Sequence, residues 1–297
     1  MSDLIVGTII GLLSSASFAL QNVIIGGQKD NVSALMANSI KMWIALPFML
    51  LLVIVPWRIH EFFLPESVLL PLIISILLGG AFGDAIYLSS QERVGVSRAF
   101  PIANTYPIIT YIVALFMLGD TLRLTTIVGI ILAIVGVVLV SRDIDVDESE
   151  EVQYKHDWVG LLLALLSSVM LAFATIFMDI GVSEIDPFDA NLFRMSIGSI
   201  AMVPFFSLSY RKRQKPLTSR TVKIVAVAGL FGMGLASLLY IASIKLVGAT
   251  IGAVIGSTSP LFALPFSVLY LKEKITWKGS FGTIATILGI WLVLLGI

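Results

Sequence analysis

The chain has 297 residues, of which 58% are hydrophobic and only 13% charged, with a formal net charge of +0. A soluble domain carries roughly a quarter charged residues, so this composition excludes an ordinary globular protein. The neutral balance, without a basic stripe, excludes a nucleic-acid partner, and the lack of cysteine excludes disulfides, thiol nucleophiles and cysteine-ligated metals.

Apolar runs of about 20 residues, the length that spans a bilayer core, follow one another along the chain. The N-terminus shows no basic n-region and no clear cleavage site, so 4–25 reads as a retained first span rather than a signal peptide. Ser14, Ser17 and Gln21 form a polar stripe on it. The second span, 33–55, holds Lys41 seven or eight residues in, and the third, 68–90, carries Asp84 and Tyr87 on one face that continues to Gln91 just past its end. The fourth, 96–117, contains Pro101 and Pro107 and a stripe of Ser97, Asn104 and Tyr111. The fifth covers 121–141, just after Asp120. An acidic stretch at 143–156 then separates two halves of nearly equal length. Beyond it lie spans at 158–180, 188–209 (with Arg194), 222–244 (Ser237 and Tyr240), 249–271 (Thr250, Ser257, Pro260 and Pro265) and 277–296. His60 and His156 fall in loops, so no metal site is expected, and with no Walker loop no nucleotide or other cofactor is expected either.

The halves match at a fixed offset of 153 residues. Asn38 falls on Asn191, Lys41 on Arg194, Met42 on Met195, Tyr87 on Tyr240, Pro107 on Pro260, and Asp120 on Glu273. Glycine and aliphatic matches are cheap in membrane helices, but Tyr, Pro, Asn and Lys/Arg matches without a gap are not. The expected fold is therefore all-α and integral to the membrane, with ten transmembrane helices formed by two five-helix repeats, 1–142 and 157–297, about a linker at 143–156. An odd number of spans per repeat inverts the second copy. Loop charge agrees: the face away from the termini carries fourteen basic residues, against three (Arg58, Arg123 and Lys245) on the face that bears them. By the positive-inside rule both termini are extracytoplasmic, in the plasma membrane of a cell.

Inverted repeats recur in secondary transporters, whose substrate site lies near the midplane between the halves. The stretch YLSSQERVGVSRAFPIANTYPIITYIVALFMLGDT from Tyr87, and its partner YIASIKLVGATIGAVIGSTSPLFALPFSVLYLKEK from Tyr240, resemble the EamA repeat of the drug/metabolite transporter superfamily. In each, Tyr is followed by a small-residue run, a proline in the next helix, an aliphatic helix and an acidic residue. The resemblance covers essentially the whole chain, and its one departure is Asp120, where the family usually shows Glu. It implies a ten-helix basket around a central cavity and export of small metabolites such as amino acids or related compounds. Carriers of sugar-phosphates or nucleotide-sugars are the neighbouring alternative, weakened because only Lys41 and Arg194 lie inside spans. A membrane enzyme or a non-transporting partner protein is the rival class.

On this reading the partners are a small-molecule substrate and membrane lipid, and a monomer suffices. Gln21, Tyr87, Asn104, Tyr111, Tyr240 and Ser257 are the cavity candidates, since a lipid-facing Asn or Gln is costly. For the serines and threonines, close helix packing is the simpler reading. Lys41 and Arg194 either snorkel to the interface or flank the cavity as gates. Asp84 either carries a coupling proton or pairs with a base such as Arg93 or Arg98. Pro101, Pro107, Pro260 and Pro265 either open the helix toward a cavity or only shape packing.

Overall fold

A computed structural model describes residues 2–28, 31–54, 62–94, 99, 102–144, 157–211, 217–259, 261–262 and 277–296. Every regular element among them is helical. They are α1 (Ser2–Gly26), α2 (Ala34–Ile54), α3 (Glu66–Ile76), α4 (Asp84–Val94), α5 (Tyr106–Met117), α6 (Leu124–Ile144), α7 (Trp158–Val182), α8 (Pro187–Arg211), α9 (Ser219–Gly229), α10 (Ser237–Gly256) and α11 (Trp277–Leu295). Among the described residues, six helical stretches are long and apolar enough to cross a membrane, and three shorter apolar helices accompany them.

The polarity is that of a lipid-facing bundle. Leu51, Leu70, Leu162, Ile200, Ile284 and Trp291 are exposed, while Asn38, Lys41, Asn191 and Arg194 are buried. Hydrocarbon accepts the outer apolar belt, and inward polar groups must find partners within the bundle.

Two pairs of helices are joined by π-helical segments, Leu77–Gly83 between α3 and α4 and Leu230–Ala236 between α9 and α10. They fall at the same 153-residue offset as the sequence matches. A π turn widens the helix and loosens its i→i−4 ladder, and such bulges are frequent at functional sites. A second shared irregularity is a turn at Asn104-Thr105, before α5, and another at Ser257-Thr258, after α10. Pro107 therefore stands in the first turn of α5, where a missing N–H leaves no bond unmade. It starts a helix here instead of kinking the middle of one. Pro101, Pro260, Pro265 and residues 145–156 of the linker lie outside the described residues.

Near its middle, α10 reverses at Gly248, whose φ of 80° and ψ of 168° suit glycine alone. Before the reversal, Ser14 Oγ donates to Ala236 O and Ser243 Oγ to Gly7 O, both at 2.7 Å; after it, Ser15 Oγ donates to Ile255 O at 2.8 Å. The two arms thus run in opposite directions along α1. At the start of α7, Asp157 caps the helix by accepting from the Val159 and Gly160 amides at 3.0 and 3.2 Å. It also accepts from Arg93 Nη1 at 2.9 Å. The Arg93 bond, then the Gly160 amide, hold its carboxyl below the usual carboxylate range. That support is complete above about pH 4, the ordinary value, and is lost as pH falls through the lower folded value.

α6 and α11 pack antiparallel, backbone against backbone. A Cβ on Gly129 would lie 2.7 Å from Gly289 O, and one on Gly136 would lie 2.5 Å from Gly282 O. Gly129 and Gly282 are repeat equivalents, as are Gly136 and Gly289, so each glycine meets the counterpart of the other. Gly289→Leu is expected to lower stability by about 1–3 kcal/mol through overpacking. The check is the thermal midpoint of detergent-purified protein, where Ile287→Leu on the exposed face should leave it unchanged.

Candidate functional site

The polar centre is built where α2 and α8 pass the two π segments. In the second half, Asn191 Nδ2 donates to Gly234 O at 3.5 Å, and Asn191 Oδ1 accepts from Ser237 Oγ at 2.9 Å. Arg194 Nε donates to Ser75 Oγ at 2.9 Å, and its Nη1 to Ser237 Oγ at 3.4 Å. In the first half, Asn38 Nδ2 donates to Gly80 O at 2.8 Å, and Lys41 Nζ lies 3.6 Å from Asp84 Oδ2. Each asparagine therefore reaches a carbonyl of its own half's π segment. Serine follows the second segment and aspartate the first, at equivalent positions. Ser75, which serves Arg194, has Ala228 as its counterpart, so the second half offers Lys41 no matching hydroxyl.

One consequence is an unpaired atom. Asn38 is fully buried and its Oδ1 has no hydrogen-bond partner, whereas Asn191 Oδ1 has Ser237. An orphaned buried acceptor costs about 1–3 kcal/mol. Gln21 shows a second case: its Nε2 reaches Asn22 Oδ1 at 3.5 Å, while its buried Oε1 lies unpartnered against Gly232 of the second π segment. Ala174 stands at the equivalent place against Gly79 in the first segment.

Lys41 and Arg194 are 4% and 3% exposed, with partners directed inward. They do not snorkel. Asp84 pairs with Lys41, arriving from α2, and not with Arg93, which binds Asp157 at the end of α4. Arg98 and Ser97 lie outside the described residues, as does Glu273. Met42, Met49, Met195 and Met202 fill the seam between α2 and α8 as two equivalent pairs, all fully buried. Trp43 Nε1 to Ser199 O, 2.9 Å, crosses the same seam.

A group of aromatics lies beside it. Tyr240 Oη is 3.3 Å from Thr175 Oγ1, and Tyr106 Oη donates to Ala253 O at 2.8 Å. Both rings abut Gly256. Thr105 Oγ1 meets Ser168 Oγ at 3.1 Å. Asn104 is buried in the adjoining turn. Tyr87, although equivalent to Tyr240, packs apart from this group with Ile102 and Leu161. Ser257 Oγ turns back to Val254 O at 2.8 Å, so its hydroxyl is spent locally. In α1, Ser17 likewise bonds its own helix at Leu13 O, while Ser14 and Ser15 serve the contact with α10.

A cavity of about 420 Å³ opens at the end of the bundle where α5 and α7 finish and α10 reverses. Tyr111, Asp120, Arg123, Asp179, Gly248 and Thr250 are among its lining residues. Asp120 Oδ2 accepts from Thr250 Oγ1 at 2.7 Å, and Asp179 Oδ2 accepts from the Ala249 amide at 3.0 Å. Tyr111 Oη donates to Thr121 O and accepts from the Arg123 amide, both at 2.9 Å, so it clamps the loop at the rim. Sequence reasoning missed Asp179, Tyr106 and Ser75. Asp179 had a readable signal, an acid at the end of a largely apolar span; the other two became visible only through contacts across helices.

Irregular helices that enclose a buried polar centre inside an apolar belt define a polytopic membrane protein. The chain belongs to the EamA-like transporter family, which matches it twice, over residues 5–142 and 158–295. It is similar to an uncharacterized transporter of Archaeoglobus fulgidus, 28% identical over 226 residues and 76% of each chain. A second uncharacterized transporter, from Clostridium kluyveri, is 23% identical over 193 residues, 65% of this chain and 61% of that one. A crystal structure of a protein 15% identical has the same fold, with a TM-score of 0.75 over 99% of this chain and 98% of that chain.

Removing one member of the Lys41–Asp84 pair strands the other's charge. Lys41→Met is expected to lower stability by about 2–4 kcal/mol, somewhat under the range for a fully buried pair because Asp84 keeps 27% of its side chain accessible. Thermal unfolding of Lys41→Met, Asp84→Asn and the double variant checks this, and the double variant should recover most of the loss.

Proposed function

We propose that the chain is a secondary transporter or facilitator that moves small metabolites by alternating access, with export of amino acids or related compounds as its task. In this reading ten spans form two oppositely inserted five-helix repeats, 1–142 and 157–297, joined by the linker at 143–156. Both termini face outward from the plasma membrane. The observation that carries the proposal is the pairing of irregularities: π segments and helix-breaking turns stand at equivalent places in both halves. Two halves with the same weak points, facing opposite ways, give inward-open and outward-open states of similar energy. The antiparallel exchange of glycines between α6 and α11 supports the inversion, because equivalent residues meet crosswise only about an axis in the membrane plane.

The charges favour a zwitterion. Lys41 is compensated by Asp84, whereas Arg194 is held by hydroxyls and keeps its charge for a carboxylate. Asp120 and Asp179, at the cavity mouth, suit an ammonium group. Gln21 Oε1 is a ready acceptor for a donor on the substrate. A sugar-phosphate would call for more free cations near the centre than Arg194 supplies. Lys41 and Arg194 serve as gate residues on opposite halves, with Tyr240 and Asn104 beside the path.

The test is flux of a radiolabelled amino-acid panel and of a sugar-phosphate in proteoliposomes, without a pH gradient. Saturable flux of an amino acid is expected, reduced about tenfold in Gln21→Ala, the loss of one hydrogen bond to the cargo. Flux of the sugar-phosphate alone would move the assignment to that class. Chemical conversion of a solute without net movement would sink the transporter reading in favour of an enzyme.

A further inference from the structure

The two halves solve the same local problem differently, and the difference identifies a binding site. Where the second half has Asn191 and Ser237, the first has Asn38 and Asp84. Ser237 always carries a hydroxyl hydrogen and gives it to Asn191 Oδ1 at 2.9 Å. Asp84 has such a hydrogen only when protonated. The amide of Asn38 is fixed in orientation, because its Nδ2 must face Gly80 O at 2.8 Å. Its Oδ1 is therefore presented as an acceptor, fully buried and without a partner.

We propose that Asp84 and Asn38 form a proton-binding site, in which protonated Asp84 donates its O–H to Asn38 Oδ1 and deprotonated Asp84 pairs with Lys41. Only the Asp84 O–H bond forms and breaks; the proton comes from water and returns to it. The side-chain positions are those that suit deprotonated Asp84, with Lys41 Nζ 3.6 Å from Asp84 Oδ2 and no donor on Asn38 Oδ1. The protonated arrangement restores in the first half the bond that the second half makes permanently. Access is asymmetric in the way a proton site needs: Asp84 is 27% accessible, while Lys41 and Asn38 are sealed.

Among the described residues, the charged surroundings of Asp84 are simple. α2 brings Lys41 and no other charged residue. The first π segment brings none, and α7 brings none before Asp179, nine residues past Met170, the neighbour of Gly83. Arg194, on α8, is bound to Ser75 and Ser237. On its own helix, Tyr87 lies one turn on, Glu92 falls two turns on in the sequence, and Arg93 is held by Asp157. Gain or loss of the Asp84 proton therefore changes the balance at one contact, between α2 and α4. That contact joins the first π segment to the methionine seam of α2 and α8, so the proton acts on elements that must move during alternating access. The inference rests on the transporter reading for its purpose, but not for its test.

The measurement is infrared difference spectroscopy of the full chain in lipid, stepped from about pH 9 to about pH 5, a range that spans the titration of perturbed carboxyls. Isotope-labelled aspartate marks the bands of Asp groups. The expected spectrum gains a hydrogen-bonded protonated-carboxyl stretch that is absent in Asp84→Asn. That variant keeps a donor toward Asn38 but strands the Lys41 charge, so its spectrum is read on protein whose fold the thermal unfolding above verifies. In Asn38→Leu the stretch should move to higher frequency, as it does when a carboxyl loses its acceptor. A wild type in which no aspartate band is lost on Asp84→Asn, or a lost band that Asn38→Leu leaves unmoved, would overturn the site. No cargo is present in this experiment. A failed flux assay therefore leaves its result standing, and a missing band would remove the proton site even from a proven transporter.

Discussion

The rule behind this structure is that a backbone group in hydrocarbon must be satisfied from within the protein. Unbroken helices obey it by themselves. The π segments Leu77–Gly83 and Leu230–Ala236 do not, and buried amides follow where the ladder loosens. Asn38 reaches Gly80 O and Asn191 reaches Gly234 O. Once an amide is committed to a carbonyl, its other end demands a donor, and that demand draws Ser237 in one half and leaves an orphan in the other. Arg194 with Ser75 and Lys41 with Asp84 sit on either side of the first π segment, where the surroundings are already polar.

Two kinds of seam hold the halves together, and they suit different tasks. Between α6 and α11 glycines bring the backbones into direct contact, which leaves the neighbouring side chains little room to rearrange. Between α2 and α8 the filling is methionine, unbranched and adaptable. A rigid seam on one side and a deformable one on the other is what a rocking bundle needs. Shared polar bonds such as Trp43 to Ser199 tie the deformable seam without locking its packing.

Much of the architecture was readable because hydrophobic runs and repeat matches are properties of order along a chain. The expected spans at 33–55, 158–180 and 188–209 correspond to α2, α7 and α8 within a few residues. The π segments were not readable, since a widened turn leaves no periodicity signal, although Gly79 and Gly232 within them also fall together at the repeat offset. Nor was the partner of Asp84. Arg93 and Arg98 are near it in sequence, but Lys41 is near it in space, and spacing does not encode which helix crosses which. Tyr87 and Tyr240 show the limit of repeat logic, for equivalent positions have acquired different surroundings. Asp84 and Ser237 show its value, since the chemistry emerges from a place where equivalence fails.

The account stands or falls on the opposite insertion of the two halves. Because the native sequence has no cysteine, single cysteines report sidedness cleanly. Glu66 and Ser219 are exposed, open α3 and α9, and occupy equivalent repeat positions. With a membrane-impermeant maleimide applied to intact cells, Glu66→Cys is predicted to label and Ser219→Cys to label only after the membrane is opened. Labelling of both from the same side would contradict the inverted arrangement, and with it the alternating-access reading built on it.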